Sequence, residues 1–303
     1  MKKALIQMHL AVLLWGFTGV LGKTISLSAP VLVWYRMLLT AIFVAVILFY
    51  RKEWVPVSKK DKWRLIWIGC LMGLHWVAFY GSIKYSSISV ALVCLSTASI
   101  FTSLLDPFVN KGKHNYKEFI LSIITIIGVY FIYQFQQLYW KGIILGIIAA
   151  MLSSWFVVLN KKIATKYPAR TMVFYEMTAG WAMLTLLIPF MVWYTPDVAL
   201  IPETSDWLWL VILSLCCTVW SQSLALNALK HISAFTSTLS VNMEPVYGIL
   251  LAFLFFGEHK DLDIKFYVGM LLILSSVVLQ MLYLIRKPKK VSPGYIVEKN
   301  GID

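Results

Sequence analysis

The chain holds 303 residues, 60% of them hydrophobic and only 14% charged, with a formal net charge of +13. Soluble domains are about a quarter charged and just under half apolar, and a sphere of this size lacks the interior to hide the excess. The composition therefore argues against a soluble enzyme and for an all-α membrane protein. The basic residues sit in short runs between apolar stretches, which is how topology is encoded, so no nucleic-acid surface is expected.

Membrane-crossing helices need about 17–25 mostly apolar residues. In chain order ten such stretches occur, near 4–24, 30–50, 63–83, 86–109, 117–136, 139–160, 171–194, 207–229, 233–256 and 264–285. Pro30, Pro56, Pro168, the Pro196/Pro202 segment and the Gly257-Glu258 pair punctuate them. Residues 286–303 read as a polar cytoplasmic tail. Lys2-Lys3 before an apolar run resembles a secretory signal, but the run is long and has no A-x-A site, so the first helix is expected to be retained. Cys70, Cys94, Cys216 and Cys217 lie in apolar stretches without metal-ligand spacing, and neither a metal nor a cofactor is expected.

Placing the N-terminus inside puts 21 of the 27 Lys and Arg residues on the cytoplasmic side and five outside, with Arg36 within a span. The loop with Asp197, Glu203 and Asp206 holds no Lys or Arg and falls outside. The positive-inside rule then predicts cytoplasmic termini in a plasma (inner) membrane.

Five spans followed by five suggest duplication. Ala11, Leu14, Leu21, Lys23 and Ile25 match Ala149, Leu152, Leu159, Lys161 and Ile163 at an offset of 138, and Pro30 matches Pro168. Two inserted residues then align Tyr35-Arg36-Met37 with Tyr175-Glu176-Met177. Lys84 and Ser87 match Lys230 and Ser233 at an offset of 146. An odd number of spans per repeat demands opposite insertion of the halves, 4–136 and 139–285. Inverted repeats of this kind build secondary transporters, with the substrate site between the halves near the midplane.

The residues carrying these repeats resemble the EamA-type branch of the drug/metabolite transporter superfamily. Trp15–Lys23 (WGFTGVLGK) is similar to its opening pattern, Tyr35-Arg36 to its second helix, and Lys84–Leu92 (KYSSISVAL) to the start of its fourth. The most specific likeness is Lys230–Glu258, with Pro245 in mid-helix and Gly257-Glu258 at the end. The first half departs, with Ser99 in place of Pro245 and Lys111-Gly112 in place of Gly257-Glu258, so the halves are expected to move differently. The resemblance implies ten helices in two inverted five-helix bundles that carry small polar metabolites, often amino acids and often outward. Sugars, nucleotide derivatives and drugs are alternative cargoes.

Ionisable residues inside a span cost about 2.5–3.5 kcal/mol on insertion scales and ask for a partner or a function. Arg36 lies about 8 Å into its helix at 1.5 Å per residue, and Glu176 lies a similar depth from the opposite face. Glu244 lies about 17 Å in, near the midplane. Arg36 is read as a clamp for a carboxylate or as a structural cation. Glu244 is read as a substrate or proton site or as a helix-to-helix hydrogen bonder, and Glu176 as a gating or packing residue. Pro245 removes a backbone donor and opens its helix to motion. Asn242 and His75 are the polar cavity candidates by depth, and Trp15 and Trp76 the aromatic ones. Gly257 and Glu258 are gating or structural candidates.

No H-E-x-x-H, nucleophile elbow or Walker motif is present, so an enzyme is not expected. The leading reading is a carrier working with a small-molecule substrate and the lipid bilayer. Its oligomeric state is open, with a monomer sufficient. The rival is a membrane-embedded protein that transports nothing.

Overall fold

In lipid, an isolated segment satisfies its backbone only by coiling into a helix. The computed structural model describes residues 2–110, 116–135, 139–194, 196, 198–257 and 264–286, and among these there is no strand. The first half comprises α1 (Lys2–Thr24), α2 (Ala29–Arg51), α3 (Lys59–Tyr85), α4 (Ile88–Leu95), α5 (Ala98–Asn110) and α6 (Tyr116–Phe135). The second comprises α7 (Trp140–Ile163), α8 (Ala169–Tyr194), α9 (Thr204–Ser214), a π-helical turn at Leu215–Trp220, α10 (Ser221–Leu229), α11 (Ala234–Val241), α12 (Glu244–Phe256) and α13 (Ile264–Arg286). Eight stretches of the described residues are long and apolar enough to cross a membrane, with α4–α5, α9–α10 and α11–α12 each counting as one. The helices α6 and α13, of 20 and 23 residues, pack against each other.

The packing is reciprocal between the halves. Helix α3 lies on α7 as α10 lies on α1; α5 lies on α7 as α12 lies on α1; α2 meets α9 as α8 meets α3. Lipid offers no hydrophobic drive between helices, so close backbone approach matters more. A Cβ on Gly69 would collide with the backbone carbonyl of Glu176, which is how α3 and α8 come together.

Only the second-half helix carries a proline at its break, since Pro107 lies well inside α5, yet both halves are interrupted in register. An offset of 146 carries Ile88–Leu95 onto Ala234–Val241 and Ala98–Asn110 onto Glu244–Phe256. Both pairs begin on a serine cap, with Ser87 Oγ accepting from the Val90 N–H at 3.2 Å and Ser233 Oγ from that of Thr236 at 3.0 Å. In the first half, hydroxyls make the break. Thr97 Oγ1 donates to the Cys94 carbonyl at 2.7 Å and Ser99 Oγ to that of Ser96 at 3.2 Å, competing with the helical ladder for its acceptors. In the second half Pro245 occupies the second position of α12, where a missing N–H costs nothing.

One irregularity has no first-half counterpart. The π turn at Leu215–Trp220 interrupts the α9–α10 helix, whereas α3 runs as a regular α-helix for 27 residues. Such bulges concentrate at functional sites because they re-aim backbone and side chains.

Candidate functional site

Where the halves meet, a cavity with about 70 Å³ open to the centres of water-sized molecules lies among α1, α2, α3, α4, α7, α10, α11 and α12. Five of the residues singled out from the sequence line it: Arg36, Glu244, His75, Trp15 and Trp76. Thr18, Asn160 and Gln222 add polar atoms, and Phe79 and Phe156 add aromatic walls.

Arg36 is 1% exposed and held on four sides. Its Nε donates to Thr218 Oγ1 at 2.9 Å, Nη1 to Tyr80 Oη at 2.7 Å and Nη2 to the Cys217 carbonyl at 3.3 Å. The Trp76 ring stacks on the guanidinium, 3.8 Å from Cζ to the centroid, a contact that attracts the cation to the ring quadrupole. Two of these partners come from the π turn, so that irregularity has a local purpose. Tyr80 stands one helical turn beyond Trp76, and both face the same side of α3. A Cβ at Gly22 would run into the Tyr80 ring, so only glycine lets α1 approach here. All three hydrogen-bonding partners are formally neutral, and the guanidinium keeps its charge.

Glu244, 4% exposed, opens α12 directly after the break. Thr18 is its polar neighbour on α1, and the Arg36 charge acts on it across the cavity. The two form no ion pair within 4.0 Å. A cation and an acid thus face one space without neutralising each other by contact. His75 Nδ1 is 2.8 Å from the Ala149 carbonyl. A carbonyl only accepts, so Nδ1 carries the hydrogen and Nε2 of the neutral ring is left as an acceptor. Phe156 meets the imidazole edge-on at 5.3 Å.

The other candidates lie apart from this group. Asn242 sits in the α11–α12 break, two residues before Glu244; it is 1% exposed, its amide has no hydrogen-bond partner, and it is not among the lining residues. Glu176, on α8, is fully buried outside the cavity, and neither carboxyl oxygen has a hydrogen-bond partner. Its polar neighbour is Asn160, which reaches the cavity wall. Gly257 closes α12 in the left-handed conformation, φ 65°, its N–H donating to the Phe253 carbonyl at 3.2 Å. That geometry favours glycine. Glu258 lies outside the described residues. Sequence reasoning missed Tyr80, Thr218 and the Cys217 carbonyl. Of these only Tyr80 left a trace, as a polar-tipped residue in helical register with Trp76.

The EamA-like transporter family matches the chain twice, over residues 2–134 and 140–282. Over 309 aligned residues the chain is 23% identical to a Bacillus subtilis (strain 168) protein named as the uncharacterized transporter YxxF, covering 98% of this chain and 95% of that one. The fold is also similar to a protein of known crystal structure, at a TM-score of 0.70 and 16% identity, covering 94% of this chain and 99% of the other.

Proposed function

Since the chain belongs to the EamA-like transporter family and is therefore a membrane transporter, we propose that it is a secondary carrier moving small zwitterionic metabolites such as amino acids outward across the plasma membrane. Ten spans, counting α6 and α13, form two inverted five-helix repeats over 4–136 and 139–285, with both termini in the cytoplasm. The reciprocal packing of the halves and their matched helix breaks support this arrangement. Rocking of one half against the other exposes the central cavity to each side in turn.

One observation carries the choice of cargo: the Arg36 guanidinium and the Glu244 carboxyl group face a single cavity without pairing with each other. A planar guanidinium suits a carboxylate, and Glu244 suits an ammonium group. Trp15, Trp76, Phe79 and Phe156 give the remaining walls an aromatic character, which also favours a flat cationic drug as the second reading. Purified protein in liposomes loaded with a panel of radiolabelled solutes separates them. Efflux of amino acids above protein-free liposomes is the expected result. Efflux of aromatic cations alone moves the assignment to the second reading, and movement of no solute refutes the carrier.

A further inference from the structure

Two buried aspartates occupy the same place in the two halves. Asp61 is the third residue of α3 and Asp206 the third residue of α9, and they are 5% and 2% exposed. Each reaches across to the other half and grips the loop between that half's first two helices. Asp61 Oδ2 accepts from Lys166 Nζ at 3.3 Å and from Tyr167 Oη at 3.0 Å, both in the α7–α8 loop. Asp206 accepts from the Ser26 N–H at 3.1 Å and from Ser26 Oγ at 2.6 Å, in the α1–α2 loop. The repeat register that pairs Pro30 with Pro168 makes these two loops equivalent.

From this pairing we infer that Asp61 and Asp206 are reciprocal gate latches, one closing each mouth of the cavity. The inference rests on the inverted-repeat carrier proposed above. With alternating spans, the start of α3 and the α7–α8 loop share the cytoplasmic face, and the start of α9 and the α1–α2 loop share the outer one. A tie that crosses between the halves must break on whichever face the halves separate, while its counterpart on the other face holds. The latches differ in strength. Around Asp61, Arg64 Nη1 donates to Oδ1 at 3.0 Å, and Arg170 pairs with Glu53 at 2.6 Å beside it. The Asp206 tie uses a neutral serine, and Lys84 is the cation facing it, with Nζ on the Ile25 carbonyl at 2.7 Å. The cytoplasmic latch is the more heavily charged, so its loss should shift the balance further.

The test is access to the cavity, which needs no substrate. In a cysteine-free background, Ser237→Cys places a small thiol on the cavity wall. A membrane-impermeant maleimide is then applied to right-side-out and to inside-out vesicles. Asp61→Asn should raise labelling from the cytoplasmic side about tenfold and lower it from outside, because losing one latch shifts the population toward the state open on that face. Asp206→Asn should do the reverse by a smaller factor. Lys166→Ala with Tyr167→Phe, and Ser26→Ala, remove the same ties from the other end and serve if an aspartate variant does not fold. Labelling that is unchanged, or that moves in the same direction for both latches, overturns the inference. Opposite shifts in a protein that moves no solute would leave the latches standing and refute the carrier instead.

Discussion

The interrupted helices α4–α5 and α11–α12 share their lengths, caps and register, yet the second sets an acid on the cavity wall where the first presents only Leu95. At the first, Ala98 stands where the second has Glu244, and its carbonyl accepts Ser154 Oγ from α7 at 2.7 Å. At the second, the carboxyl group of Glu244 lines the cavity wall. The same contrast separates Arg36 from Glu176. The arginine finds three acceptors and a tryptophan face, two of the acceptors supplied by a π turn that the first half lacks. The glutamate meets a regular α3, with Gly69 pressed on its backbone and no hydrogen bond for its carboxyl group. The family match repeats over both halves, and of each pair of equivalent positions only one, Arg36 or Glu244, lines the cavity.

The largest loss should follow substitution of Arg36. Lysine keeps the charge but cannot reproduce a planar fork on three partners, and charge-assisted hydrogen bonds are worth about 1.5–3 kcal/mol each. Arg36→Lys should cut transport on the order of a hundredfold while leaving the protein monodisperse by size exclusion. Wild-type rates in that variant would assign the network a purely structural role.

Removing the acid from the second break is the next largest change. Glu244→Gln keeps shape but cannot ionise, and should reduce transport of cargo bearing an ammonium group about tenfold, a shift of about 1.4 kcal/mol. Cargo without a cationic group should be unaffected, a difference that competition assays in liposomes would read.

Glu176 should respond in stability instead. Burying a polar group without a partner costs about 1–3 kcal/mol, so Glu176→Met should raise the melting temperature in detergent by a few degrees. A fall of several degrees would mean that the carboxyl group supports the native packing.

Smallest of all should be the effect of adding proline to the first break. Ser99 is the second residue of α5, as Pro245 is of α12. A first-turn N–H has no intrahelical acceptor to lose, and only the Ser99 Oγ bond to Ser96 is forfeited. Ser99→Pro should fold with a melting temperature close to wild type. Failure to fold would show that the two breaks are not equivalent after all.

Much of this architecture was legible from hydropathy, because a helix in lipid must be apolar over a fixed length. Arg36, Glu244 and His75 stood out for the same reason, as polar groups in expensive places. The first-half break did not, since serine and threonine act there through hydrogen bonds to nearby carbonyls that composition does not reveal. The π turn at Leu215–Trp220 was equally hidden, because its sequence reads as ordinary apolar helix. Asp61 and Asp206 fell at span ends, where charges are common, and their burial depends on loops more than a hundred residues away.

Whether Arg36 holds the carboxylate of the cargo is tested by pairing a change in the protein with a change in the solute. Transport of an amino acid and of its decarboxylated amine is measured for wild type and for Arg36→Lys in the same liposomes. Wild type should strongly prefer the amino acid, and the preference should collapse in the variant. An unchanged ratio between the two solutes would show that the carboxylate is not read by Arg36.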